Sequence, residues 1–416
     1  MSDQHFSHEE WLSKLRDHLD EEHYAARTSQ RCLVVARRFL ASLEKQHLEV
    51  AAATLTNVGR YLEQTQRGYR QRHGHAPDYS GWRPVQTSSI HMLLRLVQGQ
   101  WPPVSVAVTP EGMLRQRICG EYGEWMGDER GLAPITVLDR CAEARRFLDW
   151  LGNRVTGEQL SSLAVFEVDA FVKQRASSLR RRTLNGLATN VRSILRWLHM
   201  TGQTTRDLSS AVITPPLHAF ENIPSAFRAQ EVKQVVAVTR QDRTPKGIRD
   251  YAILMLLSTY GVRAGEITSL RLDDIDWRKE IIRIRHSKTG ATSYLPLRPE
   301  VGEAILKYLQ KSRPKTAIRE MFIRCRAPYR PFKRGSSLYG LVQWRLAAAG
   351  VVPSGKRGPH AFRHARAVSM LRATVPVKEI GDLLGHRASD STMAYLKLAT
   401  EDLRAVALEI PTGVKA

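Results

Sequence analysis

Apolar residues recur at helical spacing through the first half of the chain. Leu184, Leu187, Val191, Ile194 and Leu198 form one stripe between polar and basic positions, which predicts an amphipathic helix. The pentapeptide Ala36-Arg-Arg-Phe-Leu40 recurs as Ala144-Arg-Arg-Phe-Leu148, an offset of 108 that Leu43 and Leu151 continue. Val58, Tyr61, Leu62 and Gln64 align with Val168, Phe171, Val172 and Gln174 at an offset of 110, and Leu94-Arg-Leu96 resembles Leu195-Arg-Trp197. Such self-similarity predicts two related helical bundles, residues 1–100 and 108–203. Three prolines within 98–110 separate them. A stretch without clear period, 204–226, holds Pro215, Pro216 and Pro224 and reads as a linker. Residues 67–75, rich in Arg and His, read as a basic connector within the first bundle.

The pattern changes after the linker. Residues 248–257 are largely apolar and predict a buried helix. Residues 280–286 alternate, Ser-Lys-Thr-Gly follows, and 293–297 resumes an extended pattern, so a β-hairpin with Lys288 at its turn is expected. Helices are expected again near 300–311, 336–349 and 361–373. The predicted fold is mainly α: two helical domains, then a mixed, mostly α domain over 227–416 with a small antiparallel β-sheet.

Composition narrows the function. No apolar run approaches the ~18–20 residues that span a bilayer, so no membrane association is expected. The first residues are polar and acidic, unlike a secretory or mitochondrial leader. Cys32, Cys119, Cys141 and Cys325 lie far apart, which argues against a disulfide framework or a zinc site and fits a reducing cytoplasm. The 63 Lys+Arg against 41 Asp+Glu leave a net charge of +22, pointing to a polyanion such as nucleic acid. From Phe227 onward there are 35 Lys+Arg and 17 Asp+Glu, so this half carries most of the positive field. Arg180, Arg181 and Arg182 open the amphipathic helix and are candidate phosphate contacts.

Six residues after position 226 suit metal-free phosphodiester chemistry: Arg263, Lys288, His360, Arg363, His386 and Tyr395. Two guanidiniums can fork onto the non-bridging oxygens of a phosphate and hold a five-coordinate transition state. A tyrosine can attack and form a covalent ester. Its free pKa of about 10 leaves only ~0.1% ionised at pH 7, so a base or cationic field must activate it. The leaving sugar oxygen needs an acid, a role open to a lysine. His360 and Arg363, at i and i+3, share one helix face. A loop or cap over 387–392 would set Tyr395 on a separate short helix. Asp273, Asp274 and Asp276 cluster in sequence without a calcium-loop pattern, and no metal site is expected.

These motifs, in this order, resemble the catalytic domain of the tyrosine recombinase (phage integrase) family: Arg263 in Tyr260-Gly-Val-Arg-Ala-Gly-Glu-Ile267, Lys288 on a β-turn, His360-Ala-Phe-Arg363, Leu384-Gly-His386 and Tyr395. Residues 108–203 resemble the family's helical, SAM-like core-binding domain. Gly265, Phe362 and the pair Ala365-Arg366 depart from the usual residues, and none of these removes a reacting group. The resemblance implies that Tyr395 attacks one DNA strand, leaving a 3′-phosphotyrosine and a 5′-hydroxyl. Arg263, Arg363 and His386 would bind the phosphate, Lys288 would protonate the leaving oxygen, and His360 would assist proton transfer. Glu266 would orient Arg263, and His364 would serve packing. The family implies no metal or other cofactor. Its partner is double-stranded DNA, bound by a homotetramer on two duplexes, alone or with related recombinases. The extra N-terminal block favours integration or transposition of a mobile element. Two alternatives remain: a catalytically silent DNA-binding accessory protein that keeps the fold, and a type IB topoisomerase with the same chemistry that acts alone on one duplex.

Overall fold

The computed structural model describes residues 7–78, 81–103, 107–214, 216, 226–286, 290–333 and 335–385. The chain divides into two compact units, one of residues 103–222 and the other of residues 1–102 together with 223–416.

Among the described residues of the first hundred lie four α-helices: α1 (His8–Glu21), α2 (Ala26–Glu44), α3 (Leu55–His73) and α4 (Trp82–Gln98). Helix α1 starts at a reciprocal cap, in which Ser7 Oγ accepts from Glu10 N and the Glu10 carboxylate accepts from Ser7 N. Leu15, Leu19, Phe39, Ile90, Leu93 and Leu94 fill the core between the helices. The stretch 67–75 is not a connector as the sequence suggested. Helix α3 runs on to His73 and stops at Gly74, whose φ is 73°. Arg70, Arg72 and His73 sit in that last turn, where cations complement the helix dipole. Elsewhere in the same unit, Arg330 donates to the Glu22 carboxylate just beyond α1.

The unit of residues 103–222 holds α5 (Pro110–Glu124), α6 (Pro134–Leu151), the short α7 (Gly157–Ser161), α8 (Val165–Ala176) and α9 (Arg181–Met200). The expected stripe faces inward, with Leu187, Val191, Ile194 and Leu198 buried in one core with Phe147 and Phe171. Part of the stretch read as a linker is folded into this unit. Leu208 and Val212 join the core, and Arg192 Nη2 donates to Val212 O at 2.6 Å. Two apolar residues four apart are too weak a period to announce that packing in sequence.

Residues 226–385 are arranged around one central helix. They comprise α10 (Ala229–Gln241), α11 (Pro245–Tyr260), the one-turn α12 (Ala264–Thr268), strands β1 (Ile275–Asp276), β2 (Ile281–Arg285) and β3 (Thr292–Pro296), then α13 (Pro299–Lys311), α14 (Ser337–Ala348), α15 (Pro359–Arg372) and α16 (Val377–Leu384). Ile253, Leu254, Leu256 and Leu257 on α11 are fully buried, and α10, α13 and α15 pack around them. The strands form an antiparallel sheet in the order β1-β2-β3, with Ile282 opposite Leu295 and Arg285 opposite Thr292. The mainly α reading with one small antiparallel sheet holds. Strand β1, two residues long, carried no readable period.

A buried ionic lock joins α11 to α14. The Asp250 carboxylate, with no exposed surface, accepts from Arg249 Nη2 at 2.7 Å and from Arg345 Nε at 2.9 Å. Arg345 Nη1 also donates to Asp242 at 2.7 Å. Each charge here is matched, as burial requires.

Candidate active site

Helix α11 ends where Gly261 adopts φ 65°. A Cβ there would come within 3.0 Å of Leu384 and 3.2 Å of Arg366, so only glycine fits the turn without strain. Two residues on, Arg263 begins α12. The Glu266 carboxylate accepts from Arg263 N at 2.7 Å and from Arg263 Nη1 at 2.8 Å. One side chain therefore caps the helix and grips the guanidinium, which is the orienting role expected of Glu266. Tyr260, the last residue of α11, donates to Pro296 O at 2.8 Å and accepts from Arg298 N at 2.9 Å, tying the Arg box to the end of β3. Burial raises the pKa of that phenol, which keeps it a donor.

Arg363 comes from α15 and is only 2% exposed. Its Nη1 donates to Gly261 O at 3.0 Å, and its Nη2 donates to Leu384 O. Arg263 Nη2 donates to the next carbonyl, Gly385 O, at 3.2 Å. Two arginines 100 residues apart thus converge on consecutive carbonyls at the end of α16. A planar guanidinium held by two partners keeps its remaining edge in a fixed plane. His360 is exposed on the first turn of α15, with its ring 5.8 Å from that of His364 and the planes 23° apart. Lys288, His386 and Tyr395 lie outside the described residues.

Arg366 lies one turn beyond Arg363 on α15. Burial, and then the neighbouring Arg298 cation, hold its guanidinium below the usual arginine value. Asp274, from the acidic cluster, is buried and accepts from Arg283 Nε at 2.8 Å and Arg285 Nη2 at 2.6 Å, so it braces β2. No group of three or more potential metal ligands occurs among the described residues. In the other unit, Arg180 precedes α9, and Arg181 and Arg182 occupy its first turn, all three exposed.

One residue of the site was missed in sequence. His286 is 2% exposed and lies 2.8 Å from Glu266 through Nδ1 and 2.8 Å from Ser293 Oγ through Nε2. The signal was present in the alternation: Ile282 and Ile284 point inward, and His286 is the next position on that face. A buried histidine needs polar partners.

The phage integrase family matches residues 225–402. The integrase/recombinase y4gC of Sinorhizobium fredii is 58% identical over 189 residues, covering 45% of this chain and 97% of that protein. The integrase/recombinase y4rF of the same organism is 33% identical over 313 residues, covering 75% of this chain and 72% of that protein. A lambda integrase dimer bound to a COC′ core site shares the fold at a TM-score of 0.53 and 15% identity, over 80% of this chain and 91% of that one. The fold and the sequence matches define an enzyme that cleaves and rejoins DNA. The chain belongs to the phage integrase family of tyrosine recombinases.

Proposed function

We propose that this recombinase acts at specific DNA sites through a 3′-phosphotyrosine intermediate, in the integration or transposition of a mobile element. The observation that carries the reading is the convergence of Arg263 and Arg363 on the Leu384–Gly385 turn, directly before His386. A pair of guanidiniums fixed there supports a site for one phosphate and its transition-state charge. In this reading the Tyr395 oxygen attacks phosphorus and the 5′-oxygen departs with a proton from Lys288. Arg263, Arg363 and His386 hold the phosphate, and His360 assists proton transfer at the tyrosine. Residues 227–416 form the catalytic domain, and 108–203 serve as the core-binding domain, gripping the duplex through Arg180, Arg181 and Arg182. Residues 1–100 act as a second bundle of similar build. A lambda integrase tetramer has been captured on a Holliday junction. A homotetramer on two duplexes, alone or with related recombinases, is the assembly proposed for this chain.

The test is covalent capture on a nicked substrate carrying the element's own site. The unmodified protein is expected to form a protein–DNA adduct. Tyr395→Phe, which removes one hydroxyl and little volume, is expected to bind the site and form none. An adduct formed by that variant at the normal rate would assign the nucleophile elsewhere.

A further inference from the structure

We infer that His286 is a positioning residue for Arg263, the hub through which the Arg box, the β2–β3 hairpin and the turn at Gly385 keep one geometry. The inference rests on the strand-cleavage reading above and assigns a role to a residue which that chemistry does not use.

Contacts from Glu266, Ser293 and Gly385 meet at this ring. Its Nδ1 donates to Glu266 Oε1 at 2.8 Å, and the same oxygen accepts from Arg263 Nη1 at 2.8 Å. The carboxylate partner places a proton on Nδ1. Ser293 Oγ on β3 lies 2.8 Å from Nε2. The backbone of His286 pins the hairpin as well: its N–H donates to Ala291 O at 2.8 Å, and its carbonyl accepts from Gly290 N at 2.8 Å. On the remaining side sits Gly385, with φ 63°. A Cβ on that residue would come 2.6 Å from the ring Cε1 and 2.7 Å from either ring nitrogen. Gly385 O in turn accepts from Arg263 Nη2.

These contacts close a circuit: Arg263 to Glu266, Glu266 to His286, His286 against Gly385, and Gly385 back to Arg263. Glu266 is 2% exposed, so little water is available to hold it if a donor is lost. Without the imidazole, Oε1 loses the donor that fixes it laterally, and the Gly385 turn loses the surface it rests on. Both changes let the Arg263 fork rotate.

The experiment uses the full chain and two substitutions. His286→Leu keeps an apolar volume and removes both polar partners. His286→Gln keeps a donor for Glu266 and an acceptor for Ser293. Single-turnover cleavage by the preformed DNA complex is expected to fall about 10²-fold in His286→Leu, the scale of a misplacement of roughly 1 Å. His286→Leu is expected to remain folded at the assay temperature and to keep DNA affinity near that of the unmodified protein, and His286→Gln is expected to recover most of the rate. In an Arg263→Ala background, His286→Leu is expected to slow cleavage no further, because the two act through one guanidinium. Multiplying losses, or a loss of binding and folding in step with rate, would overturn the inference. A crystal structure of His286→Leu reads the same point without catalysis: an Arg263 guanidinium still bridging Glu266 and Gly385 would also overturn it. Failure of the unmodified protein to form an adduct would instead strike the cleavage chemistry itself.

Discussion

The ring of Phe39 on α2 meets that of Tyr61 on α3 edge to face, with centroids 5.2 Å apart and planes at 79°. Phe147 on α6 meets Phe171 on α8 in the same manner, at 5.1 Å and 63°. Phe147 and Phe171 are the positions that align with Phe39 and Tyr61 in the internal repeat, so equivalent residues make equivalent contacts in two bundles. That correspondence supports the reading of residues 1–100 as a second bundle of the core-binding kind. Removing residues 1–100 is expected to leave adduct formation at Tyr395 intact and to shorten the DNA footprint or weaken multimer assembly. Footprinting and analytical ultracentrifugation on the site-bound complex measure both.

The Asp250 lock predicts where stability is concentrated. Asp250→Ala would leave the Arg249 guanidinium buried without its anion and Arg345 with Asp242 alone, at a cost of about 3–5 kcal/mol. Urea titration followed by circular dichroism measures it. The Asp242 carboxyl, although burial opposes its charge, is held below its usual value by the Thr244 hydroxyl and Arg345. Its contribution is present above the unfolded value near 3.8 and is lost as pH falls through the lower folded value. Arg345→Leu is therefore expected to flatten the acid limb of stability below about pH 4.

Gly385→Ala tests the close approach at the turn. A side chain in the left-handed region costs about 1–2 kcal/mol, and this one would also press into the His286 ring. Slower cleavage is expected, with DNA binding retained, measured as single-turnover adduct formation beside a binding titration.

Lys288→Ala is expected to slow cleavage by roughly 10²–10⁴-fold, the range for a lost general acid. A substrate with sulfur at the 5′-bridging position should restore the rate, since a thiolate leaves without a proton. Folded, DNA-bound Lys288→Ala that is not rescued would move the acid role to another residue, with His360 the next candidate. EDTA is expected to leave cleavage unchanged in the same assay.

Binding should weaken steeply with salt. Contacts to ~6–10 phosphates predict a loss of about 10³–10⁵ in affinity between roughly 50 and 200 mM salt. Fluorescence anisotropy across that range gives the slope, and a flat response would count against an extended DNA clamp.

Local pattern made much of this protein legible before its structure. The stripe Leu187, Val191, Ile194 and Leu198 and the alternation of Ile282 and Ile284 depend on residues a few positions apart. Backbone geometry converts such spacings directly into faces and turns. The sequence also led the reader wrong locally. The basic run 67–75 is mostly helix because Arg, Gln and Tyr tolerate helical backbone and because Gly74, not Gly68, carries the stop.

Tertiary structure alone decided which charges are buried and what they serve. Arg263 reaches a carbonyl 122 positions away, Arg345 reaches an aspartate 95 positions away, and His286 meets Glu266 across 20 residues. No periodicity encodes such pairs, because they arise only when separate helices and a hairpin close on one core. Burial then makes every unmatched polar atom costly, and the partners must be found wherever the chain has brought them. The residue types that could perform the chemistry could thus be read along the chain. The circuit that holds Arg263 in one plane exists only in the folded molecule, because Glu266, His286 and Gly385 become neighbours nowhere else.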